Sequence, residues 1–386
     1  MKRIAKFVAK LVLALAILIG LAWIILPPFL DRVYYVGPQS AHFDGTHFFN
    51  PDGEDILRSP TGKSRTSFIL RWIIGADDRA TWPQTVRVTP SKPKARVEGD
   101  AMVATWIGHA SVLIQTQGLN IVTDPLWSER AGPFGIGPKR VAAPGVRFED
   151  LPKIDVVLVS HSHYDHMDLA TIKRLWERDH PKIITGLGND TIINGTGAKS
   201  IARDWGGRVS IKPGIDIIVT RNHHWGSRWG SDKGRALWSS FVVTLPGGNV
   251  FFAGDTGYGD GKWPAEAANY GPIRFAMIPI GAFRFTNGGM EIGSHIGPIK
   301  AERVFAGLKA SFAIPIHWGT IQLSNEARET PPHMLAEVMK CGGYDPDAFK
   351  AVEIGVPLTI PRYLAPIPRL APSAKCLSAP AITGLP

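Results

Sequence analysis

The chain has 386 residues, 44% of them hydrophobic, enough to bury a large core in one big domain or two smaller ones. Its net charge of +10 suits an anionic partner, either a phospholipid surface or a phosphate ester. No aromatic-basic RNP run or paired-cysteine finger is present, so nucleic acid is not an expected partner. The two cysteines, Cys341 and Cys376, form no CxxC, which excludes a cysteine zinc site. Cys376 lies in a Pro-rich tail, and this argues against a bridge between them.

The N-terminus carries Lys2, Arg3, Lys6 and Lys10, followed by an uncharged run from Leu11 to Leu26. As a helix this run spans about 24 Å at about 1.5 Å per residue, and the apolar neighbours on both sides lengthen it towards a hydrocarbon core. No small-x-small cleavage site follows; the chain continues "PPFLDR". Residues 1–30 therefore read as an uncleaved transmembrane signal anchor. The basic flank stays in the cytoplasm and the rest lies outside. In a bacterial cell this means a single-pass inner-membrane protein with a periplasmic domain.

Residues 31–100 are irregular, with one apolar segment, "SFILRWIIG", and read as a lead-in wrapping the main domain. From Met102 three short β-rich runs, "AMVATWIG", "ASVLIQTQG" and "LNIVTD", predict a meander. The apolar run Ile154 to Ser160 predicts a buried strand, and Leu169 to Asp179 has helical spacing. Further strands are expected at 215–220, in a hairpin over 240–255, at 275–281 and in "SFAIPIHWG". Helices are expected over "GPIKAERVFAGLK" and at about 332–341. Strands in runs with helices between them suggest an α/β fold of two mixed sheets covered by helices, over residues 101–362. Residues 363–386 read as a loose tail.

Chemistry concentrates in "SHSHYDHMD", directly after the buried strand. In an extended segment His161 and His163 point to one side, because side chains alternate with period two. Asp165 and His166 follow the turn and face a second point. Five ligand-type residues exceed what one tetrahedral ion needs, so the spacing suggests two ions bridged by hydroxide. Asp168 precedes the helix and reads as its cap. More ligands are available after apolar strands: Asp255 in "FFAGD", His317 in "AIPIHWG", and one of His223 and His224. Taken alone, Asp255 also reads as a turn residue and His317 as a core histidine. Their shared placement at strand ends favours convergence on one edge of a sandwich. Asp124 and His109 are candidates for holding metal-bound imidazoles in place.

The pattern resembles the metallo-β-lactamase superfamily. More narrowly, "WIGHASVLI", "TDPLWSERAGPFGIGPKR", "LPKIDVVLVSHSHYDHMD", "FFAGDTGY", "IPIGAF" and "IHWGTIQLSNEARETPP", in that order over about 102–335, are similar to the N-acyl-phosphatidylethanolamine-hydrolysing phospholipase D family. The resemblance implies an αββα sandwich with two zinc ions per chain, or iron or manganese in their place. It implies that His161, His163 and His224 hold one ion, that Asp165, His166 and His317 hold the other, and that Asp255 bridges them. His224 is preferred to His223 because the family ligand directly precedes an aromatic residue, here Trp225. His295, in "IGSHIGP", matches a family histidine near the substrate phosphate. The segment Arg284 to Ser294 departs from the family version, and Gly297 stands where an acidic residue is expected. The expected activity is hydrolysis of a phospholipid phosphodiester by the bridging hydroxide, with Asp165 orienting the nucleophile and His295 assisting at the phosphate. The alternatives are a lactonase or other carbonyl hydrolase, a nucleotide phosphodiesterase, and a non-enzymatic membrane-anchored metal-binding module.

Overall fold

The computed structural model describes residues 2–53, 79–285, 293–367, 369 and 371–386. The segment "SFILRWIIG" lies outside these residues, as does most of the departing segment after Phe285. A helix α1 (Lys2–Leu30) opens the chain. Its stretch Arg3–Ala22 is long and apolar enough to cross a membrane and is not buried by the other described residues.

Among the described residues, thirteen strands form two sheets. The first contains β1 (Met102–Gly108), β2 (Ser111–Thr116), β3 (Leu119–Thr123), β4 (Val156–Val159), β5 (Lys182–Gly186) and β6 (Ser200–Arg203) in sequence order, with β13 (Pro357–Thr359) beside β1. The second runs backwards through β12 (Ala313–Ile316), β11 (Ile273–Pro279), β10 (Asn249–Phe252), β9 (Ser240–Val243), β8 (Ile215–Thr220) and β7 (Arg208–Lys212). Helices α2 (Leu169–Asp179) and α3 (Asn189–Asn194) accompany the first sheet. Helices α4 (Trp263–Ala268), α5 (Pro298–Gly307) and α6 (Thr330–Cys341) accompany the second. The architecture is the αββα sandwich expected from the sequence.

The strand β4 explains the layering. All four of its residues are buried, as a strand covered on both faces requires. Val156 and Leu158 join the inter-sheet core with Ile217, Phe241 and Phe251. Val157 and Val159 point the other way and pack with Ile172 and Leu175 of α2. The parallel pairings β3–β4 and β4–β5 align the carboxyl ends of these strands at one edge. At that edge Asp168 caps α2, its side chain accepting from the Thr171 N–H.

The described parts of the lead-in hold to the main domain. Phe43 and Phe48 pack with Leu237 and Trp238, and Asp31 forms a two-point pair with Arg235 at 2.6 and 2.7 Å. The C-terminal segment departs from the expected loose tail. It forms two short helices, α7 (Ala374–Leu377) and α8 (Pro380–Thr383), and buries Ile382 against Met334 and Val338 of α6. Against expectation, Cys341 and Cys376 form a disulfide, with Cα atoms 5.9 Å apart. Composition suggested a tail because Pro, Ala and Ser dominate it. One buried isoleucine, one covalent bond and hydrogen bonds from Arg284, Ala327 and Thr330 to the Leu385 and Pro386 carbonyls dock it.

Candidate metal centre

Each candidate side chain sits just past a strand end. His161, His163, Asp165 and His166 follow β4; His224 follows β8; Asp255 follows β10; His317 follows β12. The first group belongs to one sheet and the other three residues to the second. The turns are tight. Among the described non-glycine residues few have positive φ, and His109 (54°), Asp124 (30°) and His317 (61°) are three of them, all at this edge. Such conformations are costly and persist where the surroundings enforce them.

The side chains converge as two sets. His161 Nε2 and His224 Nε2 lie 2.8 and 3.4 Å from His163 Nδ1. Asp165 Oδ2 lies 3.4 Å from His166 Nε2 and 3.5 Å from His317 Nε2. Asp255 Oδ2 stands 3.0 Å from His166 Nε2 and 2.9 Å from His317 Nε2. Its carboxylate also groups with His224 and His295 on the other side. Donor atoms about 2.0–2.1 Å from one tetrahedral ion stand about 3.3 Å apart, so both sets have the spacing of a ligand shell.

The buried polar atoms make the same case. Facing the proposed centre, His166 Nε2, His317 Nε2 and Asp255 Oδ1 are buried without a hydrogen bond. Such atoms are costly unless something satisfies them. Burial drives His163 and His224 down to about 3, so both imidazoles are neutral and can donate a lone pair. Burial also opposes charge on His166 and His317. The carboxylates of Asp255 and Asp165 overcome it, raising His166 well above the usual histidine range and His317 to about 9. Buried carboxylates thus demand positive charge at this point, which a proton or a metal cation can provide. The residues fit a pair of cations.

Supporting contacts fix the rings. The Asp124 carboxylate takes three bonds: from the Ser160 N–H (2.7 Å), the Ser160 hydroxyl (2.6 Å) and His166 Nδ1 (2.6 Å). His109 Nε2 lies 2.9 Å from Asp165 Oδ2. His224 Nδ1 donates to the Ser294 carbonyl at 2.8 Å. The lead-in residue Asn50 brackets the His224 backbone, donating to its carbonyl and accepting from its N–H. Sequence reading missed Asn50, since nothing in its neighbourhood marks it. His223 turns away and pairs with Asp52 at 3.0 Å. His295 is buried beside the centre, its Nδ1 3.8 Å from Asp255 Oδ2. Burial lowers it to about 3, so it is a neutral ring facing the site.

Comparison with known proteins places these features. Residues 119–318, more than half of the chain, match the family model described as "Beta-lactamase superfamily domain". The chain is 36% identical over 251 residues to N-acyl-phosphatidylethanolamine-hydrolyzing phospholipase D 1 of Caenorhabditis elegans, covering 62% of this chain and 70% of that protein. It is 30% identical over 246 residues to the mitochondrial enzyme of the same name from Saccharomyces cerevisiae, covering 62% and 52%. A metal-dependent hydrolase of Pyrobaculum neutrophilum is 28% identical over 241 residues, covering 61% and 92%. Among solved structures, Igni18, a metallo hydrolase from Ignicoccus hospitalis, superposes with a TM-score of 0.51 at 20% identity, covering 68% of this chain and all (100%) of that one, and bears on the fold alone. The match over residues 119–318 includes most of the strand-end histidines and aspartates described above. The chain therefore belongs to the β-lactamase superfamily and is a metal-dependent hydrolase of the metallo-β-lactamase fold.

Proposed function

We propose that the chain is a dinuclear zinc phosphodiesterase that hydrolyses a phospholipid of the N-acyl-phosphatidylethanolamine type. The likeness to two phospholipases named for that substrate carries the proposal of substrate class. His161, His163 and His224 would hold one ion and Asp165, His166 and His317 the other, with Asp255 shared between the two sets. The donor set supports zinc, since it consists of imidazoles and carboxylates at tetrahedral spacing. When bound, such a pair acidifies water and neutralises charge growing on a phosphodiester oxygen. The chain's own residues do the rest. Asp165 is held by His109 and is partly open to solvent, so it orients the attacking water or accepts its proton. His295, neutral and facing the site, donates a ring N–H hydrogen bond to the phosphate or to the leaving oxygen, and the proton given up by the attacking water ends on that leaving oxygen. The P–O bond to the N-acylethanolamine breaks, water supplies the new oxygen, and phosphatidic acid remains.

The helix α1 is read as an uncleaved anchor with its basic flank in the cytoplasm. The Cys341–Cys376 bridge supports a domain on the oxidising side, which in a bacterial cell is the periplasm. The deciding experiment incubates full-length protein with N-acyl-phosphatidylethanolamine and a lactone panel and identifies products by mass spectrometry. Phosphatidic acid and free N-acylethanolamine are expected, with about two zinc ions per chain by elemental analysis. Lactone opening without phosphatidic acid would overturn the substrate class.

A further inference from the structure

A loop beside the metal centre holds an aromatic and an aliphatic side chain clear of the domain on a rigid support. Phe134 is 89% exposed and Ile136 is 72% exposed. The loop is not loose. Arg130 pairs with Lys139 as an antiparallel bridge. The Ala131 N–H donates to Pro138 O at 3.0 Å, and the Ile136 N–H donates to Pro133 O at 2.9 Å. Arg130 Nη1 caps the Gly137 carbonyl at 2.8 Å. The two arms pass so closely that a Cβ at Gly132 would lie 1.7 Å from the Ile136 carbonyl oxygen. Phe134 itself is held with φ 54° and ψ 25°, a costly conformation for an aromatic residue. The backbone is therefore fixed in a shape that presents the ring outward.

The loop lies next to the point where α1 leaves the domain. The Phe134 ring is 6.1 Å from the Trp229 ring, and Arg32, two residues past α1, lies 5.9 Å over the same indole. Asp31 and Tyr34 tie this exit to the 227–235 loop through Arg235 and Asp232. Val33 and Val36, also in the exit segment, are 59% and 87% exposed. The same loop reaches the metal centre: Arg228 donates to the Ser162 and Met167 carbonyls, and Trp225 stands edge-on to His163 at 4.2 Å. Helix exit, apolar tip and site wall are thus one connected face.

We propose that the Phe134–Ile136 loop dips into the bilayer from which α1 emerges and seats the Trp225 side of the site on the lipid surface. The inference rests on the reading of α1 as a membrane anchor. The tip has the composition of an interfacial wedge: an aromatic and a branched aliphatic side chain, with the exposed cations Arg32 and Arg130 nearby for headgroup phosphates. A lipid surface is the occupant because the membrane helix leaves the domain within one ring contact of the tip.

The test uses the full chain in nanodiscs of phosphatidylethanolamine and phosphatidylglycerol. Both native cysteines are tied in the disulfide, so a nitroxide attaches only at an introduced thiol. Labels are placed by Phe134→Cys, Ile136→Cys and, as a control, Leu364→Cys. Leu364 is 74% exposed and follows β13, at the end of the sheet opposite the metal centre. Power-saturation measurements should give an oxygen-to-nickel-chelate accessibility ratio several-fold higher at 134 and 136 than at 364. Equal, water-like ratios at all three positions in disc-bound protein would overturn the loop proposal and leave the anchor standing. Protein that does not co-elute with the discs would overturn both.

Discussion

Asp124→Asn isolates the contribution of a residue that touches no proposed metal position. The Asp124 side chain has two oxygens and three donors. Oδ1 accepts from the Ser160 N–H, and Oδ2 accepts from the Ser160 hydroxyl and from His166 Nδ1. For His166 to offer Nε2 to a cation, its Nδ1 must carry the proton and donate it here. Asparagine has the same shape but only one acceptor oxygen. In either flip, an N–H₂ faces the Ser160 N–H or the His166 N–H, so at least one bond is lost and two donors confront each other in a buried place. A hydrogen bond to a charged group contributes about 1.5–3 kcal/mol, which corresponds to roughly 10- to 150-fold in affinity at about 1.4 kcal/mol per tenfold. Competition with a chromophoric chelator should therefore show metal affinity falling by one to two orders of magnitude. The His166 site should be lost first. The overall fold, read by far-UV circular dichroism, should be retained. Wild-type affinity at both sites would refute the claim that Asp124 sets the His166 ring.

Two further outcomes follow from particular groups. In metal-free protein His166 and His317 are both raised, the latter to about 9, so both carry protons at pH 7. Metal loading must displace them, so about two protons should be released per chain and loading should weaken as pH falls; a pH-indicator titration in weak buffer that records no release would contradict this. Replacing Cys341 and Cys376 by Ser opens a loop with a sequence separation of 35. By the chain-entropy relation this costs at most about 4 kcal/mol, seen as a lower melting temperature and new proteolytic cleavage within 363–386. Unchanged cleavage would mean that the packing of Ile382 and the bonds from Arg284, Ala327 and Thr330 to the last two residues hold the tail without the bridge.

The sequence carried the site better than it carried the edges of the fold. His161 to His166 are contiguous and follow a run of four buried strand residues, so both position and chemistry lie in one stretch. His224, Asp255 and His317 were traceable because apolar strands announce their own ends. Asn50 was not traceable: its bond to the His224 carbonyl spans 174 positions, and an asparagine in an irregular segment looks like any other. The edge strands were equally silent. β6 is partly exposed along its length and β13 has three residues, so neither has an alternation to read. The bridge was misjudged for the same reason, since pairing depends on where a tail returns in space.

The placement of the proposed ligands has a mechanical consequence. Apolar contacts between two sheets are non-directional, and the core would tolerate small slides of one sheet over the other. Polar groups at the common edge do not. His166 follows β4 of the first sheet, whereas Asp255 and His317 follow β10 and β12 of the second. A carboxylate 3.0 Å from His166 Nε2 and 2.9 Å from His317 Nε2 sets polar groups of the two sheets against each other, an attraction that weakens as one sheet slides over the other. His109 adds a second tie: its carbonyl accepts from the His317 N–H at 3.0 Å, and its ring holds Asp165.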